Sequence, residues 1–194
     1  MSHAILESMI GYLEGSVVRT SEKDMIVMAG GVGYRVLAPL PALLANTPGT
    51  KAALHIHTHV REDQITLYGF QEESELELFE RLINVSGIGP KSALAMLSVH
   101  SPASVAEAVE RGDAALLSHT PGIGKKTAEK IILELKGKLS HLQGDGNSDS
   151  FFEVRLALEA LGYSPKEVHD VLQKLNPLET STSLLVKEAL SKMK

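Results

Sequence analysis

The sequence predicts an α+β protein of several domains: a small N-terminal β-barrel, a helical region with an internal repeat, and a C-terminal module of three short helices. Two observations carry this prediction. The spacing of apolar residues changes near residue 72 from the period of strands to the period of helices, and these two periods distinguish the two kinds of element. A run of Gly, Asp, Asn and Ser at 144–150 then separates the last helices from the rest.

Composition limits the classes of function. The 194 residues include no cysteine, which excludes disulfides, thiolate metal sites and cysteine nucleophiles, and fits a reducing compartment. The sequence has neither a membrane-length apolar run nor the pattern of a signal peptide, so we expect a cytoplasmic protein with no membrane partner. The net charge of −5 disfavours nucleic acid on average, but local charge decides binding.

Residues 9–71 predict the barrel. Strand-like stretches follow one another as IGYLEGSVV, MIVMA, VGYRVLA, ALHIHTHV and ITLYGF. Turn signals such as SEKD, GG, TPGT and RED separate them, and only PALLAN at 41–46 is typical of a helical turn. About five short strands in about 60 residues favour a small barrel of the OB type.

Residues 72–140 have helical spacing, as in ESELELFERLI and in SPASVAEAVERGD, where Pro102 marks a start and Gly112 an end. We interpret 141–150 as a flexible linker from its composition, with an ordered surface loop as the alternative. Residues 151–194 predict three short helices, the second beginning at Ser164 and Pro165. A module this small is near the lower size limit for independent folding.

The helical region contains a duplication. The segment LINVSGIGPKSALAML at 82–97 aligns without gaps on LSHTPGIGKKTAEKII at 117–132, a shift of 35 residues (117 minus 82). Both copies contain Gly-Ile-Gly-x-Lys before an amphipathic helix. Two copies at matching positions are much more specific than one.

Each copy predicts a helix, a tight turn and a second helix. Glycine permits positive φ and close approach of another molecule, and the start of the second helix exposes unpaired N–H groups that bind anions. The alternative is two ordinary helix connections, in which glycine is only a stop signal. We expect phosphate contacts at the residues of both turns: Gly87, Gly89, Lys91, Ser92, Gly122, Gly124, Lys125, Lys126, Thr127 and Lys130.

The lysines of the second copy support this interpretation. Lys125 and Lys126 lie in a first helical turn, where the dipole disfavours cations, and Lys130 repels Lys126 at i, i+4; each effect costs a few tenths of a kcal/mol. A bound phosphate would make both of these unfavourable interactions favourable. Because Lys126 matches Lys91 whereas Lys125 is opposite Pro90, we expect the second copy to make the stronger contact.

The two copies are similar to helix-hairpin-helix motifs, which in known families hold the phosphate backbone without reading sequence. The barrel region contains MIGYLEG, GGVGYRV and HVREDQITLYGF, and the paired hairpins, the linker and the small helical module follow it. In this order, these parts resemble the RuvA family of bacterial Holliday junction proteins. The resemblance covers nearly the whole chain from Met9. Family members begin at the methionine that Met9 matches, so we expect residues 1–8 to be an upstream start or an added tag.

The resemblance implies a function and partners. Proteins of this family are non-catalytic and use no cofactor or metal. They form homotetramers, or octamers of two tetramers, on four-way junction DNA and hold it open and nearly planar for branch migration in recombination and repair. The C-terminal module, UBA-like in fold, binds the hexameric ATPase RuvB, and the resolvase RuvC joins the larger complex.

The resemblance also assigns residues. It places Glu62 and Asp63 of VREDQ at an acidic pin in the centre of the junction, with Arg61 beside them as a further DNA contact. The simpler interpretation is a solvated β-turn. It assigns the ATPase contact to the residues Leu158, Leu161, Tyr163 and Leu190; for the first two, core packing is the alternative.

Other interpretations compete with junction binding. Base-excision DNA glycosylases share a PG-x-G-x-K hairpin, and Lys126 would be the nucleophile of their lyase subgroup, but they need an ordered catalytic Asp, and Asp145 lies in GDGNSDS. A scaffold for any duplex is disfavoured by the acidic turn.

His55, His57 and His59 share one strand face. A zinc site is one interpretation of these histidines, and a polar outer face of the barrel is the favoured one. GGVG at 30–33 predicts a hairpin turn, because no helix or GK[ST] follows it.

Overall fold

The computed structural model describes residues 9–142 and, beyond them, residues 154, 155, 157, 158, 161, 163, 165–172, 175 and 182–192. Residues 1–8 and residues 143–150 of the predicted linker lie outside this described part. The chain divides into two compact units, one up to Ser98 and one from Val99 onward, so the division falls within the predicted hairpin region. None of the helices in the described part is long and apolar enough to cross a membrane.

The first unit contains the barrel. Its strands are β1 (Tyr12–Thr20), β2 (Asp24–Ala29), β3 (Val32–Leu37), β4 (Lys51–Val60) and β5 (Ile65–Phe70), with helix α1 (Leu40–Ala45) between β3 and β4. They close in the order β1-β2-β3-β5-β4. Neighbours are antiparallel except β3 and β5, which are parallel. The predicted barrel is confirmed.

Alternating side chains fill the barrel, and β1 departs from the alternation at an irregularity between Val17 and Arg19. On β4, Ala52, Leu54 and Ile56 are buried inside, and the residues between them lie on the outer face, as the period of two requires. The wall is tightest at Gly15 on β1, where a Cβ would overlap the main-chain carbonyl of Met28 on β2. Glycine at this position is therefore a condition of closure.

Helix α2 (Glu73–Ile83) packs on β4 and β5. It begins at a capping box in which Glu72 and Glu75 satisfy each other's backbone N–H groups. Its Phe79 is fully buried, with its ring centroid 4.9 Å from that of Phe70 and 5.1 Å from that of Tyr68. Aromatic stacking of this kind fixes the helix against the barrel wall. Helix α3 (Pro90–Val99) follows the turn after α2.

The second unit begins with α4 (Pro102–Arg111), α5 (Ala114–Ser118) and α6 (Lys125–Leu135), then a 3₁₀ turn at Ser140–Leu142. Ser101 caps α4 by accepting from the N–H of Ser104 at 3.1 Å, and Gly112 ends it with φ 75°. Both ends agree with the sequence prediction. Leu142 is buried, so the first residues of the predicted linker belong to the folded unit.

The C-terminal residues form a small aliphatic core. Residues 154, 155, 157 and 158 are helical, followed by α7 (Pro165–Leu172) and α8 (Thr182–Lys192). Pro165 is the first residue of α7, where its fixed φ suits a helix start. The buried cluster contains Val154, Leu158, Val168, Val171, Leu175, Leu185 and Ala189. Half-buried Tyr163 packs against this cluster.

The barrel wall generates a first prediction. Gly15→Ala should destabilise the protein by about 1–3 kcal/mol, because main-chain atoms must move to admit the methyl group. Gly33→Ala on β3 is a matched control, since its Cβ would meet side-chain methyl groups of Ile26 at 3.2 Å and Met28 at 3.7 Å, which yield more easily. Urea unfolding of both variants measures the difference, and equal losses would contradict it.

Candidate nucleic-acid interface

The first hairpin joins α2 to α3 through residues 84–89. Ile88 is buried at 5% exposure, whereas the glycines on either side of it are exposed. The turn is held by three backbone bonds: Val85 N–H to Leu82 O at 3.0 Å, Ile88 N–H to Val85 O at 3.0 Å, and Ala93 N–H to Gly89 O at 3.1 Å. A buried isoleucine thus holds the turn from inside while the two glycines face solvent.

The second hairpin repeats this bonding 35 positions later. Thr120 N–H donates to Leu117 O at 3.2 Å, Ile123 N–H to Thr120 O at 3.0 Å, and Ala128 N–H to Gly124 O at 2.9 Å. Ile123 is buried at 4% exposure. The duplication found in the sequence is therefore a duplication of backbone conformation.

The two glycines of each hairpin have different roles. Gly87 and Gly122 have φ of 92° and 84°, a left-handed conformation that strains any residue with a Cβ. Gly124 has φ −84° and ψ 168°, and a Cβ at Gly89 or Gly124 would meet no atom within 4 Å. Folding therefore requires the first glycine, whereas the second leaves space free for a molecule that comes from outside.

Each turn has backbone donors available to such a molecule. In the described part of the chain, no hydrogen bond uses the N–H of Gly87, Gly89 or Lys91 in the first turn. The same holds for the N–H of Gly122, Gly124, Lys125 and Lys126 in the second. At the helix start of the second turn, Lys125 supplies an N–H that Pro90 lacks in the first. Clustered N–H groups at the start of a helix form an anion site.

The lysines add charge to these donors. Lys91, Lys125 and Lys126 are exposed, and in the described residues none of them forms an ion pair. Lys130 is half-buried and lies 4.0 Å from Glu134, an i, i+4 contact that the sequence analysis missed although its spacing was visible. Ser92 and Thr127 are half-buried in the first turns of α3 and α6. The hairpins therefore combine donors and positive charge where an anion would bind.

The acidic turn lies between β4 and β5. Arg61 N–H donates to Gln64 O at 2.9 Å and closes the turn, and Arg61, Glu62, Asp63 and Gln64 are all exposed. The two carboxylates make no ion pair with the described residues. Just below the turn, the cross-strand partners Val60 and Ile65 are 62% and 58% exposed. The hairpin thus extends beyond the part of the barrel that it helps to fill.

Polar contacts on the outer face of β4 were not found from the sequence. His57 Nδ1 lies 2.9 Å from Glu80 Oε1 on α2, and His59 Nε2 accepts from Arg61 Nε at 3.1 Å. The alternation of the histidines predicted their shared face, but only the packing of α2 supplies Glu80. Burial lowers the pKa of His59 below its usual 6.5, and the charges of Arg61 and His57 lower it further.

The candidate contact residues of the C-terminal module divide by burial. Leu158 is fully buried, so it supports the surface from the core and does not form part of it. Leu161 is 61% exposed. Tyr163 and Leu190 are half-buried against the core.

Family models match the chain in three segments. The RuvA N-terminal domain matches residues 9–69, a SAM-like helix-hairpin-helix tandem matches residues 79–138, and the RuvA C-terminal domain matches residues 152–194. The first match coincides with the barrel, and the second contains both hairpins.

Curated relatives share the whole arrangement. A Holliday junction branch migration complex subunit RuvA of Lactobacillus acidophilus is 41% identical over 183 residues, which cover 90% of this chain and 93% of the relative. The protein of that name from Thermus thermophilus is 41% identical over 192 residues, with 96% and 100% covered. A third, from Listeria monocytogenes, is 40% identical, with 90% and 94% covered.

The roles of the glycines generate a second prediction. Gly87→Ala should cost roughly 1 kcal/mol of folding stability because of its positive φ. Gly89→Ala should leave stability nearly unchanged but weaken binding to four-way DNA, because its methyl group would fill the open space that a phosphate would have to enter to reach the N–H groups. Thermal unfolding and gel-shift titration of both variants separate the two effects. If Gly89→Ala binds DNA like the unmodified chain, that space is not a phosphate site.

Proposed function

The chain belongs to the RuvA family of Holliday junction branch migration complex subunits, and from this premise we propose that its two hairpins and its acidic turn together hold a four-way junction open. In this role it binds DNA and catalyses no reaction itself. The observation that carries the proposal is the repeated turn, in which free N–H groups, open space beside the second glycine and exposed lysines occur twice with the same backbone bonding. Two anion sites built on the same turn suit a polymer of phosphates better than a single small ligand.

We propose that each hairpin contacts the phosphate backbone without reading sequence. Its donors are main-chain N–H groups and lysine side chains, and contacts of this kind position DNA but carry no base information. Gly87, Gly89, Lys91 and Ser92 belong to the first hairpin; Gly122, Gly124, Lys125, Lys126, Thr127 and Lys130 belong to the second. The additional N–H and additional cation make the second contact the stronger one.

We propose that Glu62 and Asp63 act at the crossover by repelling phosphates. Both carboxylates are exposed and unpaired within the described residues, so their charge is not neutralised by the barrel. In a homotetramer, two carboxylates from each of four chains would give eight at the centre. Like charges at close range in a confined site disfavour phosphate there and favour separation of the strands.

We propose the remaining partners from the family. The chain assembles as a homotetramer, or as two tetramers facing each other, around the junction. The C-terminal module recruits the RuvB ATPase through exposed Leu161 and half-buried Tyr163 and Leu190, and RuvC joins the larger complex. Leu161, which is 61% exposed, offers apolar surface for such a contact.

The hairpin contact generates a third prediction. Lys126→Glu should weaken binding to four-way junctions of any sequence by about tenfold and reduce the dependence of affinity on salt, because fewer counterions are released. Lys138→Glu is a matched control: it makes the same charge change at an exposed residue after α6 and should bind nearly normally. Gel-shift titrations at several salt concentrations measure both. A loss confined to particular sequences would contradict phosphate recognition.

The acidic turn generates a fourth prediction. Glu62→Gln combined with Asp63→Asn should leave junction affinity unchanged or higher, because repulsion is removed, and should make the junction less open. Fluorescence energy transfer between dyes on two arms reports the opening. Glu22→Gln, which neutralises an exposed carboxylate after β1, is the control. If the double variant instead loses affinity, the turn has a structural role.

A further inference from the structure

Arg61 has a defined partner on the outer face of β4. Its Nε donates to Nε2 of His59 at 3.1 Å. A guanidinium has only donors, so the accepting nitrogen of His59 must be unprotonated. The contact therefore exists only when the imidazole is neutral, with its proton on Nδ1.

The surroundings of His59 hold the ring in this form. Its ring centroid lies 6.2 Å from that of Tyr68 in an edge-to-face contact and 6.1 Å from that of His57. His57 is bound in turn to Glu80 of α2. Partial burial and the nearby charge of Arg61 lower the pKa of His59, which favours the neutral imidazole. The carboxylates of Glu62 and Asp63, both exposed, follow in the turn itself.

The rest of the guanidinium is available. Within the described residues, the terminal amino groups of Arg61 form no hydrogen bond or ion pair, and its side chain is exposed. Its backbone N–H closes the acidic turn by donating to Gln64 O. One edge of the guanidinium is thus fixed by His59, while the opposite edge, which suits a phosphate, is free next to the carboxylates.

We propose that neutral His59 is a positioning residue that orients Arg61 toward a DNA phosphate at the edge of the acidic turn, and that protonation of His59 releases Arg61. This rests on the proposed junction binding. Under this proposal the turn has two opposing roles. Arg61 holds a phosphate, and Glu62 and Asp63 exclude a phosphate from the neighbouring position. Orientation by His59 reduces the side-chain freedom that Arg61 loses on binding.

The direction of the pH effect follows from the contact. Above the lowered pKa of His59 the acceptor is present and Arg61 is oriented. As the pH falls through that value, His59 gains a proton, loses its lone pair and repels the guanidinium. The contribution of Arg61 to junction affinity should therefore be complete at about pH 8 and decrease toward about pH 5.

Variants of His59 test the positioning role. At about pH 8, His59→Phe should weaken junction binding by roughly threefold, as one oriented charged contact is lost. His59→Gln offers an amide oxygen as acceptor, so it should retain affinity and lose the pH effect. Arg61→Gln removes the charge itself and should lose at least as much affinity as His59→Phe, and adding His59→Phe to Arg61→Gln should cause no further loss. His55→Gln, on the same strand face, should behave like the unmodified chain. Normal binding by His59→Phe, or an unchanged pH effect in it, would overturn the proposal.

A measurement without DNA separates this inference from the proposed function. Titration of the full chain by NMR should show that Arg61→Gln raises the pKa of His59, because the repelling charge is removed. An unchanged pKa overturns the positioning role even if junctions bind. If Lys126→Glu leaves junction binding intact, the proposed function is wrong. The coupling of His59 to Arg61 is tested separately, by the titration alone.

Discussion

The site depends on one constraint: a backbone turn that must be held rigidly while its polar groups remain unpaired. Unpaired N–H groups are costly when buried, so they must lie at the surface, and a surface turn is fixed only if something anchors it from below. Ile88 and Ile123 provide that anchor. The bonds that close each turn use the N–H groups of the buried residues and leave those of the exposed glycines.

The placement of acidic and basic side chains explains how a chain of net charge −5 suits an anionic polymer. The turns at 84–91 and 119–127 contain no acidic residue, and several acidic groups form ion pairs on helices, as in Glu77 with Arg81 and Glu107 with Arg111. Lys125 and Lys126 are left without such partners among the described residues. Fields near a surface are set by these local arrangements, and the average charge serves solubility instead.

Much of this was predictable from the sequence, for identifiable reasons. The barrel and the repeat are local patterns: the period of two locates the strands, and the spacing of Gly, Ile and Lys fixes both turns, down to the same backbone bonds. The contacts of His57 with Glu80 and of His59 with Arg61 were not predictable, because one needs the packing of α2 on the barrel and the other a choice of rotamer. Burial of Leu158 was left open for a similar reason, since a helix period marks an apolar face without saying what covers it.

The length of the β4–β5 hairpin has a consequence for what constrains its tip. Val60 and Ile65 continue the inward-facing rows of their strands, yet they and the turn between them lie in solvent. Substitutions in these six residues leave the packed interior intact, so folding places few demands on them. Selection there can act almost entirely on what the tip meets outside. The tip can therefore be exchanged for that of another barrel without repacking the interior.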